Sequence, residues 1–304
     1  MNSQVFPLPA TRVDLDLDIG GPAEADRPIG VILSDWGRLS QENVQRILDY
    51  QRKAGLPFGE AGIAMGLLTE DDVRQALSLQ FGQACPLPDA GLAPELIAAW
   101  QPESASVEHL RALRSQLMLR WFENDARHAA LAVLSPGPCE GRSYITANLA
   151  VLFAQLGKRT LVIDADLRRP RQHEIFGVSP RLGLSTILSG RAGREAVSEI
   201  DSIPGLAVLP AGALPPNPQE LLARPGLPRL ISALRSHYEV ILIDTPPADS
   251  SADAATVAAR AGAALMLACR DRSSVPRIAG LADDLREFGV TIVGAVLNGA
   301  RAAQ

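Results

Sequence analysis

From about Val107 onward, short apolar runs alternate with helix-like stretches along this 304-residue chain. Continuous runs of Val, Ile, Leu and Ala are typical of parallel strands that are buried on both faces. Because strands that alternate with helices form βαβ units, the pattern predicts the α/β class with a doubly wound parallel sheet. Ligands bind such a sheet at the carboxyl ends of its strands. The predicted strands are Ala130–Leu134, Thr160–Asp164, Leu206–Leu209, Val240–Asp244, Ala264–Ala268 and Thr291–Leu297.

The composition limits the class of protein. Apolar residues make up 47% of the chain, which is ample for a buried core, and the net charge of −5 gives no basic field, so no nucleic-acid partner is expected. Cys85, Cys139 and Cys269 are scattered and odd in number, which argues against a disulfide framework and fits a reducing cytosol. No apolar run reaches the roughly 18 residues of a membrane span, and the N-terminus does not resemble a signal peptide, so a cytoplasmic location is expected.

Changes in composition and residue pattern along the chain predict four segments. Residues 1–26 are polar and proline-rich and are expected to form a flexible arm. Residues 27–82 are predicted to be a small helical repeat module. Residues 83–106 contain four prolines and are predicted to be a linker with one short helix. Residues 107–304 are predicted to be the α/β domain.

The helical module contains an internal repeat. IGVILSDWGRLSQENVQRILDYQ, from Ile29, and FGEAGIAMGLLTEDDVRQALSLQ, from Phe58, match at an offset of 29 residues. Each copy is typical of a helix, a glycine stop, and a second helix that begins after an N-cap, Ser40 or Thr69. One interpretation is a docking module in which the repeated Gly, Leu and Val residues simply pack two helix-turn-helix units.

The same repeat resembles the N-terminal module of type II secretion and pilus ATPases, some of which bind cyclic di-GMP. The resemblance implies the helical fold and makes cyclic di-GMP a candidate ligand. However, the arginine that opens that family's ligand-binding motif is missing in register, since Pro28 and Pro57 stand there and Arg27 lies one place early. A cyclic dinucleotide needs cationic and backbone donors on its phosphates, so this departure argues against binding.

The stretch SPGPCEGRSY, Ser135 to Tyr144, follows the first predicted strand and precedes a helix. This is the context of a P-loop, whose pattern is Gly, four residues, then Gly-Lys-Ser/Thr. Gly141, Arg142 and Ser143 supply the end of the pattern with Arg in place of Lys, and Pro136 stands at the leading glycine. Taken alone, the stretch is also consistent with a Gly/Pro turn into a helix.

As a P-loop, this stretch would cradle phosphates on its backbone N–H groups and on the helix dipole. Arg142 keeps a positive charge for the phosphates and the transfer step, although its reach and geometry differ from those of lysine. Ser143 supplies a hydroxyl for Mg²⁺. The residues predicted to contact the nucleotide here are Gly137, Pro138, Cys139, Glu140, Gly141, Arg142, Ser143 and Tyr144.

Aspartates close two of the other predicted strands. TLVIDADLR ends with Asp164 and Asp166 just before Arg168, and ILIDTPP contains Asp244. Carboxylates at the ends of parallel strands can surround Mg²⁺ and its waters. Asp244 is expected to hold Mg²⁺ through water, Asp164 to contribute to the metal site and accept a proton, and Asp166 to help organise phosphoryl transfer. The alternative is that these aspartates are helix caps or turn formers.

These motifs resemble those of the bacterial tyrosine kinases of polysaccharide export, over about residues 103–298. That family has a Walker A loop, a second motif of the form Asp-x-Asp-x-Arg and a Walker B motif of the form Asp-x-x-Pro, in this order. PAGALPPNPQELL, Pro210 to Leu222, is also characteristic of it. The loop and the helix before it look most like the EpsG branch, which is linked to exopolysaccharide chain length.

The resemblance implies an ATP- and Mg²⁺-dependent kinase with further site residues and partners. Glu108, Arg111 and Arg114 reproduce the Glu-x-x-Arg-x-x-Arg helix that drives ring-shaped homo-oligomers in relatives, and Asn298 stands where relatives contact the adenine. The family acts with a membrane chain-length regulator, so a peripheral position at the inner membrane is expected. By pattern alone, the three charged residues also fit a solvated ion-pair ladder, and Asn298 fits a turn.

The sequence departs from the family in its tyrosines. No tyrosine cluster follows the last predicted strand, and the chain has only Tyr50, Tyr144 and Tyr238. Autophosphorylation of a tail is therefore not expected, and action on another protein, or ATP cycling as an assembly switch, stays open. Two other classes remain: a catalytically silent nucleotide-binding scaffold, and a ParA/MinD-type positioning ATPase, whose signature Lys is absent in the register of Gly137.

Overall fold

A computed structural model describes residues 28–70, 72–73, 76–77, 91–125 and 128–299. The chain divides into two compact units, Met1–Phe81 and Gly82–Gln304, which are described separately below. The predicted arm, residues 1–26, lies outside the described residues, as do Cys85 and the first part of the predicted linker. The four-segment division stays a prediction.

The first unit is helical. Its described helices are α1 (Ile29–Asp35), α2 (Gln41–Ala54) and α3 (Phe58–Ala64). As predicted, Ser40 caps α2, because its hydroxyl accepts the backbone N–H of Asn43 at 3.2 Å. In the second copy, the Thr69 hydroxyl accepts the backbone N–H of Asp72 at 3.1 Å.

The repeated glycines of this unit lie at equivalent close contacts. A Cβ at Gly30 would stand 3.2 Å from a Val44 methyl, and one at Gly59 would stand 2.5 Å from a Val73 methyl. The repeat therefore conserves one way of packing two helices, with a glycine of one helix against a valine of the next. Pro28 and Pro57 precede α1 and α3 directly and provide neither a side-chain cap nor a cation there.

The second unit is an α/β sandwich. Its α-helices are α4 (Ile97–Trp100), α5 (Ala105–Leu117), α6 (Arg142–Gln155), α7 (Gln172–Ile175), α8 (Leu184–Leu188), α9 (Pro218–Ala223), α10 (Gly226–Leu234), α11 (Asp253–Ala261) and α12 (Val275–Glu287). It also contains a π-helical turn at Met118–Phe122 and a 3₁₀ turn at Arg194–Ala196. Its strands are β1 (Ala130–Leu134), β2 (Thr160–Asp164), β3 (Ser198–Glu199), β4 (Leu206–Leu209), β5 (Val240–Asp244), β6 (Ala263–Cys269) and β7 (Thr291–Asn298).

One sheet contains all seven of these strands, in the order β3-β4-β2-β5-β1-β6-β7. Every neighbouring pair is parallel except β3 and β4, which are antiparallel. The predicted α/β class, the parallel sheet and all six predicted strands are thus confirmed. The edge strand β3 is missing from the prediction because it is only two residues long and has no apolar run.

The core lies on both faces of the sheet. Alternate residues of β1 contribute to opposite layers, Leu131 and Val133 to one and Ala132 and Leu134 to the other. Phe153 of the central helix α6 is fully buried in the first layer. Within the described residues, no helix combines the length and apolarity needed to cross a membrane.

Part of the predicted linker packs in this core. Leu96 and Ala98 are fully buried there. The Ala98 backbone N–H donates to Asn148 Oδ1 at 2.9 Å, and Asn148 Nδ2 donates back to the Glu95 carbonyl at 3.0 Å. Residues 95–98 are therefore held on α6, the helix that follows the P-loop-like stretch.

Candidate functional site

The predicted phosphate loop connects β1 to α6 at the carboxyl edge of the sheet. Cys139 and Gly141 have positive φ angles of 56° and 101°. A Cβ at Gly141 would overlap the Asn298 side chain, so this position requires glycine for both its conformation and its space. Arg272 Nη1 donates to the carbonyls of Pro138 and Cys139 at 3.3 and 3.2 Å. The exposed Arg272 side chain therefore helps to fix the conformation of the loop.

The buried side chain of Glu140 stabilises the same loop. The residue is 2% exposed, and its carboxylate accepts the Gly137 backbone N–H at 2.7 Å. It also accepts the Ser273 hydroxyl. We therefore assign this side chain to the shape of the loop, while the predicted nucleotide contact of Glu140 through its backbone stays a prediction.

The Arg142 side chain forms hydrogen bonds within the protein at this loop. Its Nε donates to the Thr245 carbonyl at 2.8 Å, and its Nη1 donates to the Gly137 carbonyl at 2.6 Å and to the Ser135 hydroxyl. A guanidinium has five donors, so it can join several acceptors that a lysine ammonium would not reach together. The predicted contact of Arg142 with phosphates stays a prediction; the structure adds a role in joining β1, β5 and the loop.

Replacing Arg142 with alanine is expected to lower the free energy of unfolding by roughly 2–4 kcal/mol, since it leaves buried acceptors without their donor. Urea unfolding followed by circular dichroism measures this change. Arg286→Ala, which removes an exposed arginine from α12, is the matched control, with an expected change within about 0.5 kcal/mol. Equal stability of the two variants would contradict the structural role of Arg142.

The two predicted Walker aspartates lie side by side. β2 and β5 are neighbours, and Asp164 is directly opposite Asp244 in their register. Both side chains are fully buried. Asp164 accepts the backbone N–H groups of Asp166 at 3.2 Å, Arg171 at 3.0 Å and Gln172 at 2.9 Å. The turn after β2 therefore fixes the Asp164 carboxylate.

Asp166 stabilises that same turn. Its Oδ1 accepts the backbone N–H groups of Arg168 at 3.1 Å and Arg169 at 2.9 Å. These bonds are those of a turn former, the alternative interpretation of the motif. The role of Asp166 in organising the transfer stays a prediction.

Burial makes both carboxyl groups poor acids. It raises the pKa of Asp164 well above its ordinary value, and the neighbouring Asp244 charge adds to the rise. Burial also raises the pKa of Asp244 to about 6, although the Ser143 hydroxyl and the Gln172 amide oppose the rise. Two buried carboxylates side by side repel each other, so a bound cation would favour the ionised form of both.

The donors present fit a magnesium ion that is bound through few protein ligands. Asp244 Oδ1 is buried and has no hydrogen-bond partner among the described residues. In this part of the chain, no three His, Cys, Asp or Glu side chains are grouped closely enough to chelate a metal. Mg²⁺ usually keeps several waters and binds through one or two carboxylates together with substrate phosphates. Ser143 and Asp244, with Asp164 close by, suit that mode.

Comparison with known proteins shows the relationship of this chain. It is 37% identical over 203 residues to the putative tyrosine-protein kinase EpsB of Ralstonia solanacearum, a match that covers 67% of this chain and 27% of EpsB. It is 33% identical over 198 residues to the putative tyrosine-protein kinase CapB of Staphylococcus aureus, and this match covers 65% of this chain and 86% of CapB. The chain belongs to the bacterial tyrosine-protein kinase family. It spans about a quarter of the length of EpsB, and no family model matches it.

Solved structures agree with this kinase family. The kinase domain of the Escherichia coli tyrosine kinase ETK matches with a TM-score of 0.64 at 31% identity, over 70% of this chain and 84% of that one. The cell division ATPase MinD of Pyrococcus furiosus matches with a TM-score of 0.50 at 27% identity, over 57% of this chain and 74% of that one. The P-loop NTPase fold is thus confirmed, and it is shared with MinD.

The structure brings Asn298 to the loop between β1 and α6. Asn298 ends β7, and its Nδ2 donates to the Glu140 carbonyl at 3.0 Å. Tyr144 lies in the first turn of α6, half-buried, and burial followed by the Glu95 charge raises its pKa. A contact of Asn298 with adenine stays a prediction.

The predicted oligomerisation residues form a separate group on α5. Arg111 pairs with Glu108 at 3.2 Å. Arg114 Nη1 donates to the Leu152 carbonyl of α6 at 3.0 Å. Glu108 and Arg111 thus form one ion pair within the chain, and Arg114 holds α5 on α6. The role of the three residues in oligomerisation stays a prediction.

Sequence reasoning missed several polar residues around the candidate site. Gln172 donates from its side-chain Nε2 to Asp244 Oδ2 at 2.8 Å and to the Ser143 carbonyl at 3.2 Å. The buried Asp253 pairs with Arg168 of the second motif at 2.8 Å. No pattern in the sequence marks these residues, because each acts across more than 25 positions of the chain. Their partners are defined only when the strands are side by side.

Proposed function

We propose that this chain binds Mg²⁺–ATP and transfers the γ-phosphoryl group to a tyrosine of another protein. The observation that carries the proposal is the pair Asp164 and Asp244, level on adjacent strands beside the β1–α6 loop, in a chain of the bacterial tyrosine kinase family. Phosphoryl transfer requires mainly positioning and charge neutralisation, which is what such a site can supply.

Each residue then has a defined task. The backbone N–H groups from Gly137 to Ser143 and the amino end of α6 bind the phosphates. Ser143 and Asp244 hold Mg²⁺, which when bound neutralises charge on the phosphates. Asp164 accepts the proton of the attacking tyrosine hydroxyl. The oxygen of that hydroxyl bonds to the γ-phosphorus, and ADP leaves. Burial raises the pKa of Asp164 in the metal-free protein, and a bound cation would favour the ionised carboxylate that accepts this proton.

The same proposal places the enzyme in exopolysaccharide chain-length control. The resemblance to the EpsG branch supports a membrane chain-length regulator as partner and a cytoplasmic position at the inner membrane. The tyrosines of the chain support action on another protein, since Tyr144 and Tyr238 are only partly exposed. Tyr50 is on α2 of the helical unit and is 39% exposed.

A labelling experiment tests the activity. The purified chain is incubated with γ-labelled ATP, Mg²⁺ and a tyrosine-containing copolymer, with Asp164→Asn as the inactive reference. Label on tyrosine supports the kinase proposal. Free phosphate alone would replace it with an ATPase switch. Binding of ATP without turnover would replace it with a silent scaffold. The structural reason would be that the Arg142 side chain is engaged in hydrogen bonds to the protein.

We propose in addition that the chain forms a homo-oligomer through α5, since Glu108 is 71% exposed and Arg111 lies beside it. Arg111→Ala is expected to lower the solution mass measured by light scattering. Arg114 is unsuitable for this test, because its loss also removes the hydrogen bond that holds α5 on α6. Arg286→Ala, which breaks an equivalent i,i+3 ion pair on α12, is the control and should leave the mass unchanged. A monomeric wild type, or equal masses for wild type and Arg111→Ala, would refute the proposal.

A further inference from the structure

Gln172 is a fully buried amide at the centre of the candidate site. It begins the short helix α7, directly after the turn that follows the second motif. Its backbone N–H donates to Asp164, and its side-chain Nε2 donates to Asp244 Oδ2 and to the Ser143 carbonyl. One residue therefore bonds to the three elements that carry the proposed metal and proton-transfer groups.

The side chain of Gln172 makes the two oxygens of Asp244 different from each other. Oδ2 is engaged by the Gln172 amide at 2.8 Å, whereas Oδ1 is buried and has no partner among the described residues. A carboxylate with one oxygen tethered cannot rotate freely, so the Gln172 amide, together with the Ser143 hydroxyl that also acts on Asp244, helps to set which oxygen stays available. The free oxygen belongs to the residue expected to hold Mg²⁺.

Gln172 carries a second buried acceptor of the same kind. Its Oε1 also lacks a hydrogen-bond partner within the described part of the chain. Two neighbouring buried acceptors without protein donors are costly unless donors come from outside the protein. The water shell of a divalent cation supplies such donors, and Mg²⁺ keeps several waters when it binds to proteins.

We propose that Gln172 is a positioning residue of the metal–nucleotide site: its N–H orients Asp244, and its Oε1 accepts from the water shell of the cation. This inference rests on the proposed function, since it assumes that Mg²⁺ binds with the nucleotide. It adds a residue outside the three Walker-type motifs to that site. The backbone bond to Asp164 is independent of the side chain, so substitutions test the amide alone.

Binding of Mn²⁺ to the chain with ADP, followed by electron paramagnetic resonance, tests the inference without turnover. Gln172→Leu and the longer, nearly isosteric Gln172→Met both remove the amide donor and the amide acceptor without adding a charge. Both variants are expected to weaken Mn²⁺ binding by roughly 10–100-fold, the usual effect of losing a residue that orients a metal ligand. ADP affinity without metal should stay within about two-fold of wild type, since no phosphate contact is assigned to this side chain.

Gln155→Leu is the matched control. Gln155 lies on α6 and donates its Nε2 to the Ala98 carbonyl at 3.2 Å, in the same unit but outside the carboxylate site. This variant should bind Mn²⁺ and ADP as wild type does. Circular dichroism verifies folding, and if Gln172→Leu fails to fold, the Gln172→Met variant, which keeps the length of the side chain, carries the test.

The outcomes separate this inference from the proposed function. Wild-type Mn²⁺ affinity in Gln172→Leu or in Gln172→Met would overturn the positioning role while the proposed function stands. An equal loss in Gln155→Leu would overturn it as well, because the effect would then be general to buried amides. If wild type with ADP binds no Mn²⁺, the proposed function itself fails, and the inference fails with it.

Discussion

Replacing Asp164 with asparagine is expected to lower the rate of phosphoryl transfer, or of ATP hydrolysis, by roughly 10²–10⁴-fold, the usual contribution of a positioned base. Asparagine has nearly the same shape but cannot accept the proton. Its single oxygen can still accept the backbone N–H groups of Arg171 and Gln172, so the turn after β2 should persist. The affinity for ADP should therefore change by only a few-fold.

Turnover of labelled ATP and calorimetric titration with ADP measure the two effects separately. Asp283→Asn is the matched control, because Asp283 pairs with Arg286 on the surface of α12 and is 75% exposed. It should leave both quantities unchanged. Loss of ADP binding in Asp164→Asn would contradict the assigned role, since Asp164 would then be needed to bind nucleotide. Unchanged turnover would exclude it as the base.

Replacing Asp244 with asparagine is expected to stabilise the metal-free protein at pH 8 by roughly 3 kcal/mol, which is the free energy equivalent of a pKa raised from 3.8 to about 6. A raised pKa means that the folded state binds the proton more tightly than the unfolded state does. The stability from this proton is full below about pH 4 and is lost as the pH rises to about 6. Asparagine stays neutral throughout, and it can still accept the Gln172 amide.

Urea unfolding between pH 4 and pH 8, with a chelator present, measures this difference. The advantage of Asp244→Asn should vanish near pH 4 and grow as the pH rises. Asp283→Asn, on the surface, should change the free energy of unfolding by no more than about 0.5 kcal/mol. Adding Mg²⁺ and ADP should reverse the order, because ligand stabilises only the form that binds it. An advantage that is independent of pH would show that ionisation of Asp244 is not its cause.

Some of the molecule follows from local sequence. The runs that became β1, β2 and β5 are apolar at every position except a final aspartate or an initial polar residue, and burial on both faces requires that composition. Ser40 was predictable as an N-cap because a cap depends on residues three positions away. The position of the site also follows, since loops at the carboxyl edge of a parallel sheet converge.

The local sequence therefore determined the fold class, six of the seven described strands and the edge of the sheet where the candidate site lies. The tertiary structure alone decided that Asp164 lies level with Asp244, that Arg142 bonds to Thr245, and that Gln172 reaches Asp244, which is 72 positions away. The physical reason is that strand register and burial arise from packing between distant segments. Hydrogen-bond partners and raised pKa values depend on that packing, so no local pattern encodes them.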